Sequence, residues 1–121
     1  MNTVLIVDDS SFMRLLIRKM LEKRGFLVVG EAENGAVCIE KFKEIRPEIV
    51  TLDVTMAQMD GLATLAELMA LSPDAKVVMI SALGQESVIR EAIKLGAKTF
   101  IVKPFNEGHV ISALNKILKH E

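Results

Sequence analysis

The sequence contains no tryptophan, no tyrosine and a single cysteine among its 121 residues. Five phenylalanines offer few surfaces on which nucleic acid bases could stack, so we expect no DNA binding. Cys38 has no cysteine partner, which excludes an internal disulfide and a cysteine-based zinc site. The apolar runs are far shorter than the roughly 20 residues of a bilayer-spanning helix. We therefore expect a cytoplasmic protein that does not insert into membranes.

A strong charge of either sign is also missing. Lys and Arg together number 15 and Asp and Glu 16, which gives a net charge of −1. No overall field therefore attracts nucleic acid or an anionic membrane. Half of the residues are apolar, and a chain of this length buries roughly two-thirds of its surface on folding. We expect a single domain over residues 1–121.

Two kinds of apolar pattern alternate along the chain. The centres of the short β-rich runs are almost continuously apolar, as in strands covered on both faces. The segments between them carry apolar residues at helical spacing, with Ser10 and Asn34 placed to cap the first two helices. This alternation predicts an α/β fold with a parallel sheet, right-handed crossovers and helices on both faces. The predicted strands are Thr3–Val7, 27–31, 48–53, Lys76–Ser81 and 99–103.

Polar side chains stand where the predicted strands end. Asp8 and Asp9 follow the first strand, Asp53 ends the third, Ser81 the fourth and Lys103 the fifth. Ligands of open parallel sheets bind outside the carboxyl ends of the strands. A single residue of this kind is usually a solvated loop residue. Together, however, these five predict an acidic pocket with a hydroxyl and an ammonium at its rim.

The chemistry of that pocket favours a divalent cation and phosphoryl transfer. Clustered carboxylates repel one another unless they share a proton or a cation, and Mg²⁺ prefers oxygen ligands. A carboxylate can also act as the nucleophile and become an aspartyl phosphate. Asp53 is the best candidate because it lies between the acidic pair and the side of Ser81 and Lys103. His109 and His120 are interpreted as surface residues.

These residues resemble the response-regulator receiver family over essentially the whole chain. The matching pieces are Leu5-Ile6-Val7-Asp8-Asp9-Ser10, Asp53 with Met59-Asp60-Gly61, Ser81-Ala82, and Gly96-Ala97 leading to Lys103-Pro104-Phe105. Five such pieces in order are a far more specific signal than any one of them. The resemblance implies a flavodoxin-like, doubly wound (βα)5 sandwich with the strand order 2-1-3-4-5.

The resemblance also implies the roles of the residues around the phosphate. Asp53 matches the phosphorylated aspartate and Lys103 the lysine that pairs with the phosphoryl group. Asp9 matches a direct Mg²⁺ ligand, and Asp8 a neighbour that acts largely through water. Thr55 matches the residue whose backbone carbonyl completes the metal site.

Other matches concern activation. Ser81 corresponds to the switch hydroxyl and Phe100 to the aromatic residue that changes rotamer, while Lys103-Pro104 corresponds to a cis peptide bond. We expect the phosphoryl group to draw Ser81 inward, Phe100 to turn into the vacated space, and a partner-binding face within residues 85–119 to change shape.

One loop departs from the family pattern. The family usually reads Met-Pro-x-Met-Asp-Gly there, whereas Met56 is followed here by Ala57. Without the proline the loop loses a fixed φ beside the metal-ligating backbone, which could weaken metal affinity or loop order. Thr55 and Leu83 occupy positions that tune the lifetime of the phosphoryl group in the family. Neither side chain offers a carboxylate or an amide, so the sequence predicts no particular lifetime.

The expected role is a diffusible messenger that consists of the receiver alone. A sensor histidine kinase would donate the phosphoryl group, and the modified monomer would bind a target. A phosphatase that resets the protein is a further candidate partner. The run from Asp9 to Arg14 resembles chemotaxis receivers, whose target is the flagellar motor switch protein. The alternatives are a phosphorelay intermediate and a Mg²⁺-dependent aspartyl-phosphate hydrolase. A flavin-binding module is disfavoured because Asp8 and Asp9 would repel its phosphate.

Overall fold

A computed structural model describes residues 2–54, 60–82 and 84–119 of the chain. Strands and helices alternate along these residues. In chain order they are β1 Thr3–Val7, α1 Ser11–Lys23, β2 Leu27–Ala32, α2 Gly35–Ile45, β3 Ile49–Leu52, α3 Gly61–Leu71, β4 Lys76–Ser81, α4 Glu86–Leu95, β5 Thr99–Val102 and α5 Glu107–Lys119. Over the described ranges, no helix combines the length and the apolarity that crossing a membrane requires.

The strands form one parallel sheet in the order β2-β1-β3-β4-β5. This arrangement confirms the predicted α/β fold and strand order. The bounds of β1 and β4 are as predicted, β2 and β5 each differ by one residue at the carboxyl end, and β3 is one residue shorter at both ends. The third strand, for instance, was predicted over 48–53 and spans Ile49–Leu52. Since β1 pairs with β3 through Val7 and Leu52, the residues that follow these two strands emerge side by side.

Two apolar layers cover the faces of the sheet. Leu5 of β1 belongs to the layer beneath α2, α3 and α4, whereas its neighbour Ile6 belongs to the layer beneath α1 and α5. Successive side chains of a strand point to opposite faces, so a continuously apolar strand supplies both layers. Burial on both faces holds the strand ends in place, and the polar groups collect at the edge of the sheet.

Capping residues set the helix boundaries as the sequence predicted. The Ser10 hydroxyl accepts a hydrogen bond from the Met13 amide at 3.1 Å, and the Asn34 side chain accepts one from the Val37 amide at 2.9 Å. Each bond satisfies an amide that has no partner inside its own helix. Gly96 ends α4 with a φ of 122°, a conformation that side chains with a Cβ rarely adopt.

Thr51 of β3 and Cys38 of α2 are both buried. The Thr51 hydroxyl in β3 has no hydrogen-bond partner among the described residues. Cys38 of α2 is fully buried, and burial raises the pKa of its thiol to about 12. The thiol therefore stays protonated and is shielded from solvent at neutral pH.

Candidate metal and phosphoacceptor site

Three carboxylates from two strands converge at the carboxyl edge of the sheet. Asp8, Asp9 and Asp53 each place an oxygen within 4.8 Å of the others. Asp8 and Asp53 are buried, and Asp9 is exposed. Two buried carboxylates at this separation need a positive partner, because burial disfavours unpaired charge.

Lys103 supplies that positive partner from the end of β5. Its Nζ donates to Asp8 Oδ2 at 2.8 Å and lies 3.4 Å from Asp53 Oδ2. Burial alone would lower the pKa of Lys103, but the hydrogen bond from its ammonium to Asp8 and the charges of both carboxylates outweigh it. The pKa is therefore raised above its ordinary value. Lys103 remains an ammonium at physiological pH and holds a fixed positive charge between the two aspartates.

The turn after β1 fixes the orientation of Asp8. Asp8 Oδ1 accepts a hydrogen bond from the Ser10 amide at 2.9 Å, while Ser10 itself caps α1. The Asp8 amide donates to the carbonyl of Ala32 in β2 at 3.1 Å. With Lys103 bonded to the other carboxylate oxygen, Asp8 is held on both oxygens and through its backbone.

The start of α3 packs directly on the backbone of Asp53. The Gly61 amide donates to the Val54 carbonyl at 2.7 Å, and a Cβ at Gly61 would lie only 2.0 Å from the Asp53 carbonyl oxygen. Asp60 caps α3 by accepting the Ala63 amide at 2.8 Å. A glycine is thus needed at this position for close approach rather than for an unusual φ. The role of Gly61 was not predicted from the sequence, where Asp60-Gly61 was noted only as part of a family motif. A capping residue followed by glycine nevertheless signals the start of a helix.

Ser81 completes the edge from β4. It is fully buried, and its backbone carbonyl accepts the Lys103 amide at 2.9 Å, which ties the ends of β4 and β5 together. The Lys103–Pro104 peptide bond is cis. Phe100 of β5 is half-buried and packs against the layer beneath α2, α3 and α4. It lies at the margin of the core rather than within it.

Several predicted positions lie outside the described residues. These are Thr55, with its proposed metal-binding carbonyl, Ala57 and Leu83, together with His120. His109, which was interpreted as a surface residue, is exposed on α5.

The donor set fits a hard divalent cation. All three converging side chains offer carboxylate oxygens, which are the ligands that Mg²⁺ prefers, and one of them faces solvent. Histidine or thiolate ligands, which would favour zinc, do not belong to this cluster. Asp8, Asp9 and Asp53 could therefore hold Mg²⁺ while leaving positions open for phosphoryl oxygens.

Comparison with known proteins agrees with this site. Residues 4–115 match the response regulator receiver domain family. The chain is 50% identical over 116 residues to the chemotaxis protein CheY of Thermotoga maritima, covering 96% of this chain and 97% of that protein. It is 51% identical over 115 residues to CheY of Bacillus subtilis, with 95% and 96% coverage. A chain in the crystal structure of the CheX-CheY-BeF3-Mg complex from Borrelia burgdorferi superposes with a TM-score of 0.95 at 38% identity, covering 97% of this chain and 89% of that chain.

Proposed function

The chain belongs to the response regulator receiver family, and from that premise we propose that it is a chemotaxis response regulator whose Asp53 accepts a phosphoryl group. The observation that carries this proposal is the convergence of Asp8, Asp9 and Asp53 around one position, with the Lys103 ammonium between two of them. The similarity to CheY proteins named for chemotaxis supports the signalling role.

In the chemical step, a carboxylate oxygen of Asp53 attacks the phosphorus atom of the donor. An oxygen–phosphorus bond forms while the bond from phosphorus to the leaving group breaks, and the leaving group keeps the electron pair. For a sensor histidine kinase, the leaving atom is a nitrogen of its phosphorylated histidine. The burial of Asp53 limits the access of competing water to this centre.

The remaining groups of the site neutralise charge. Lys103, already 3.4 Å from Asp53, offers its ammonium to an oxygen of the incoming phosphoryl group. Asp8 keeps the ammonium in place through the 2.8 Å bond. Mg²⁺, held by the three aspartates, would supply the positive charge that lets an anionic donor approach a carboxylate.

The signal would leave the site through the ends of β4 and β5. Because the Ser81 carbonyl accepts a hydrogen bond from the Lys103 amide, a movement at the end of β4 would also displace the end of β5, and the reverse. We expect the phosphoryl group to draw the Ser81 hydroxyl inward and Phe100 to turn toward the core. The face built by residues 85–119 would then change shape for a flagellar motor switch protein or another target.

Surface features of this face suit a partner. Ile93 and Val102 expose 46% and 42% of their surface. A groove of about 990 Å³ runs beside α5, with Lys98, His109 and Lys116 among its lining residues. A kinase and its messenger would meet in the cytoplasm. That residues 1–121 form one domain, and that the protein acts as a monomer, stays a prediction.

The direct test is phosphorylation by a small acyl-phosphate donor in the presence of Mg²⁺, followed by intact mass. We expect one phosphate adduct in the native protein and none in Asp53→Asn. Asp74→Asn, which changes an exposed aspartate in the turn before β4, is the matched control and should keep the adduct. An adduct that survives Asp53→Asn would refute the assignment, and steady multiple turnover of the donor would indicate a hydrolase instead.

A further inference from the structure

Arg14 connects three elements next to the acidic pocket. Its Nη1 donates to the backbone carbonyl of Asp8 at 2.6 Å, and its Nε donates to Glu31 Oε1 at 3.0 Å. The side chain is only 16% exposed although it arises from the outer helix α1. A planar guanidinium with two bonds in a fixed fork geometry determines where both of its partners lie.

The carbonyl that Arg14 holds belongs to the peptide unit between Asp8 and Asp9. Peptide units are planar, so fixing this oxygen fixes the plane from which the Asp9 side chain departs. Among the described residues, no hydrogen bond or ion pair holds the Asp9 carboxylate. The position of the Asp9 carboxylate therefore depends on the Asp9 backbone, and Arg14 is the side chain that hydrogen-bonds to the peptide unit before Asp9.

Glu31, near the end of β2, anchors the guanidinium from the other side. Its second oxygen accepts Arg18 Nε at 2.8 Å, and its carbonyl accepts Lys41 Nζ at 2.5 Å. Burial would raise the pKa of Glu31, but the hydrogen bonds from Arg18 and Arg14 outweigh it and lower the pKa. Glu31 thus stays charged near neutral pH, and it binds both arginines.

We propose that Arg14 is a positioning residue for the metal site: it orients the Asp8–Asp9 peptide so that the exposed Asp9 carboxylate faces the cation shared with Asp53. Arg18 binds Glu31 and, through Nη1, Glu22 at 3.1 Å, and none of its hydrogen bonds reaches Asp8 or Asp9. This inference rests on the proposed function, which makes the acidic pocket a Mg²⁺ site.

The direction in which Mg²⁺ affinity changes when Arg14 is replaced distinguishes a positioning role from a purely electrostatic one. Arg14 carries a positive charge close to the pocket, and removing a like charge would tighten the binding of a cation. Losing the orientation of the Asp9 carboxylate would instead weaken the binding of the cation. Replacing partners that orient metal ligands typically costs about 10–100-fold in affinity. The two accounts therefore predict opposite changes.

The test is calorimetric titration of the full chain with Mg²⁺ alone. We expect Arg14→Met to raise the Mg²⁺ dissociation constant about tenfold. Arg18→Met, the matched control, loses a bond to the same carboxylate and should change the constant less than about twofold. Equal or tighter binding by Arg14→Met, or equal losses in both variants, would overturn the proposal.

A second measurement uses the metal-free protein. The Ser10 amide is bonded to Asp8 Oδ1 and reports the order of this turn. Its hydrogen exchange should be faster in Arg14→Met and unchanged in Arg18→Met. If Arg14→Met does not fold, Arg14→Lys takes its place: one ammonium cannot reproduce the fork, so native Mg²⁺ affinity in that variant would refute the role.

The phosphorylation assay keeps this inference distinct from the proposed function. Arg14→Met should need about tenfold more Mg²⁺ than the native protein for half-maximal phosphorylation, because its metal affinity is impaired. A native protein that binds Mg²⁺ but takes up no phosphate would refute the proposed function, while the titration would still decide the role of Arg14.

Discussion

Gly61→Ala should damage the phosphoacceptor site without touching any charged group. The added Cβ would lie 2.0 Å from the Asp53 carbonyl oxygen, 2.5 Å from Val54 Cα and 2.8 Å from the Asp53 carbonyl carbon. All three neighbours are backbone atoms next to β3, so no side chain can rotate away to make room. Either α3 must withdraw or the backbone of Asp53 must move.

The size of the effect follows from these distances. Real Cβ contacts essentially never fall below 3.0 Å, so the shortest contact must lengthen by about 1 Å. Overpacking of this kind typically costs about 1–3 kcal/mol in the free energy of unfolding. A misplacement of about 1 Å at reacting atoms costs on the order of 100-fold in rate. We therefore expect a loss of about 1–3 kcal/mol in the free energy of unfolding, which leaves most molecules folded, and a loss of about 100-fold in the phosphorylation rate.

Urea unfolding and the rate of phosphorylation by a small acyl-phosphate donor measure the two effects. Gly108→Ala is the matched control, because Gly108 also lies in the first turn of a helix and its Cβ would meet only Asn106 Oδ1, at 3.1 Å. That contact is with the end of a side chain, and stability should change by less than about 1 kcal/mol. Native stability and native phosphorylation in Gly61→Ala would show that α3 is not held rigidly against Asp53.

Three further predictions concern the pocket and the core. Asp9→Asn should raise the midpoint of thermal unfolding in Mg²⁺-free buffer, because the substitution relieves repulsion among the carboxylates. The variant should also gain less thermal stability than the native protein when Mg²⁺ is added. A native gain in thermal stability on adding Mg²⁺ would contradict this prediction. Thr51→Val should stabilise the protein by about 1 kcal/mol in urea unfolding, because the valine has the same shape and removes a buried hydroxyl that lacks a partner; a loss of stability would reveal a partner for that hydroxyl. Cys38, with its thiol pKa at about 12, should resist alkylation at pH 8 in the folded protein and react in urea, and rapid labelling without denaturant would mean that α2 opens readily.

The sequence was sufficient to predict the fold and the convergence of the site. Continuously apolar strands alternating with amphipathic helices leave few arrangements other than a covered parallel sheet. In such a sheet the residues that follow the strands collect at the carboxyl edge, which is why Asp8 and Asp53 could be placed in one pocket before their contact with Lys103 was known. The order of the strands came from the family resemblance and not from the periodicity.

Contacts that depend on side-chain direction could not be read from the sequence. Arg14 has the spacing of an ordinary exposed helix residue, and only the turn of α1 across the end of β1 brings its guanidinium to the Asp8 carbonyl. The unpartnered hydroxyl of Thr51 was equally hidden, because threonine is a common strand residue. The 2.0 Å distance at which a Cβ on Gly61 would meet the Asp53 carbonyl oxygen depends on where α3 begins, and helix boundaries are the least certain part of a sequence prediction.

Lys103 lies 95 residues from Asp8 and 50 from Asp53 along the chain. During synthesis, both aspartates leave the ribosome before the ammonium that neutralises them has been made. Until β5 docks on β4, the unfinished chain lacks the Lys103 ammonium beside these carboxylates, and their negative charge disfavours the approach of an anionic donor. If Asp53 accepts phosphate as proposed, fragments that end before β5 should take up phosphate poorly and should not compete with complete chains for the donor.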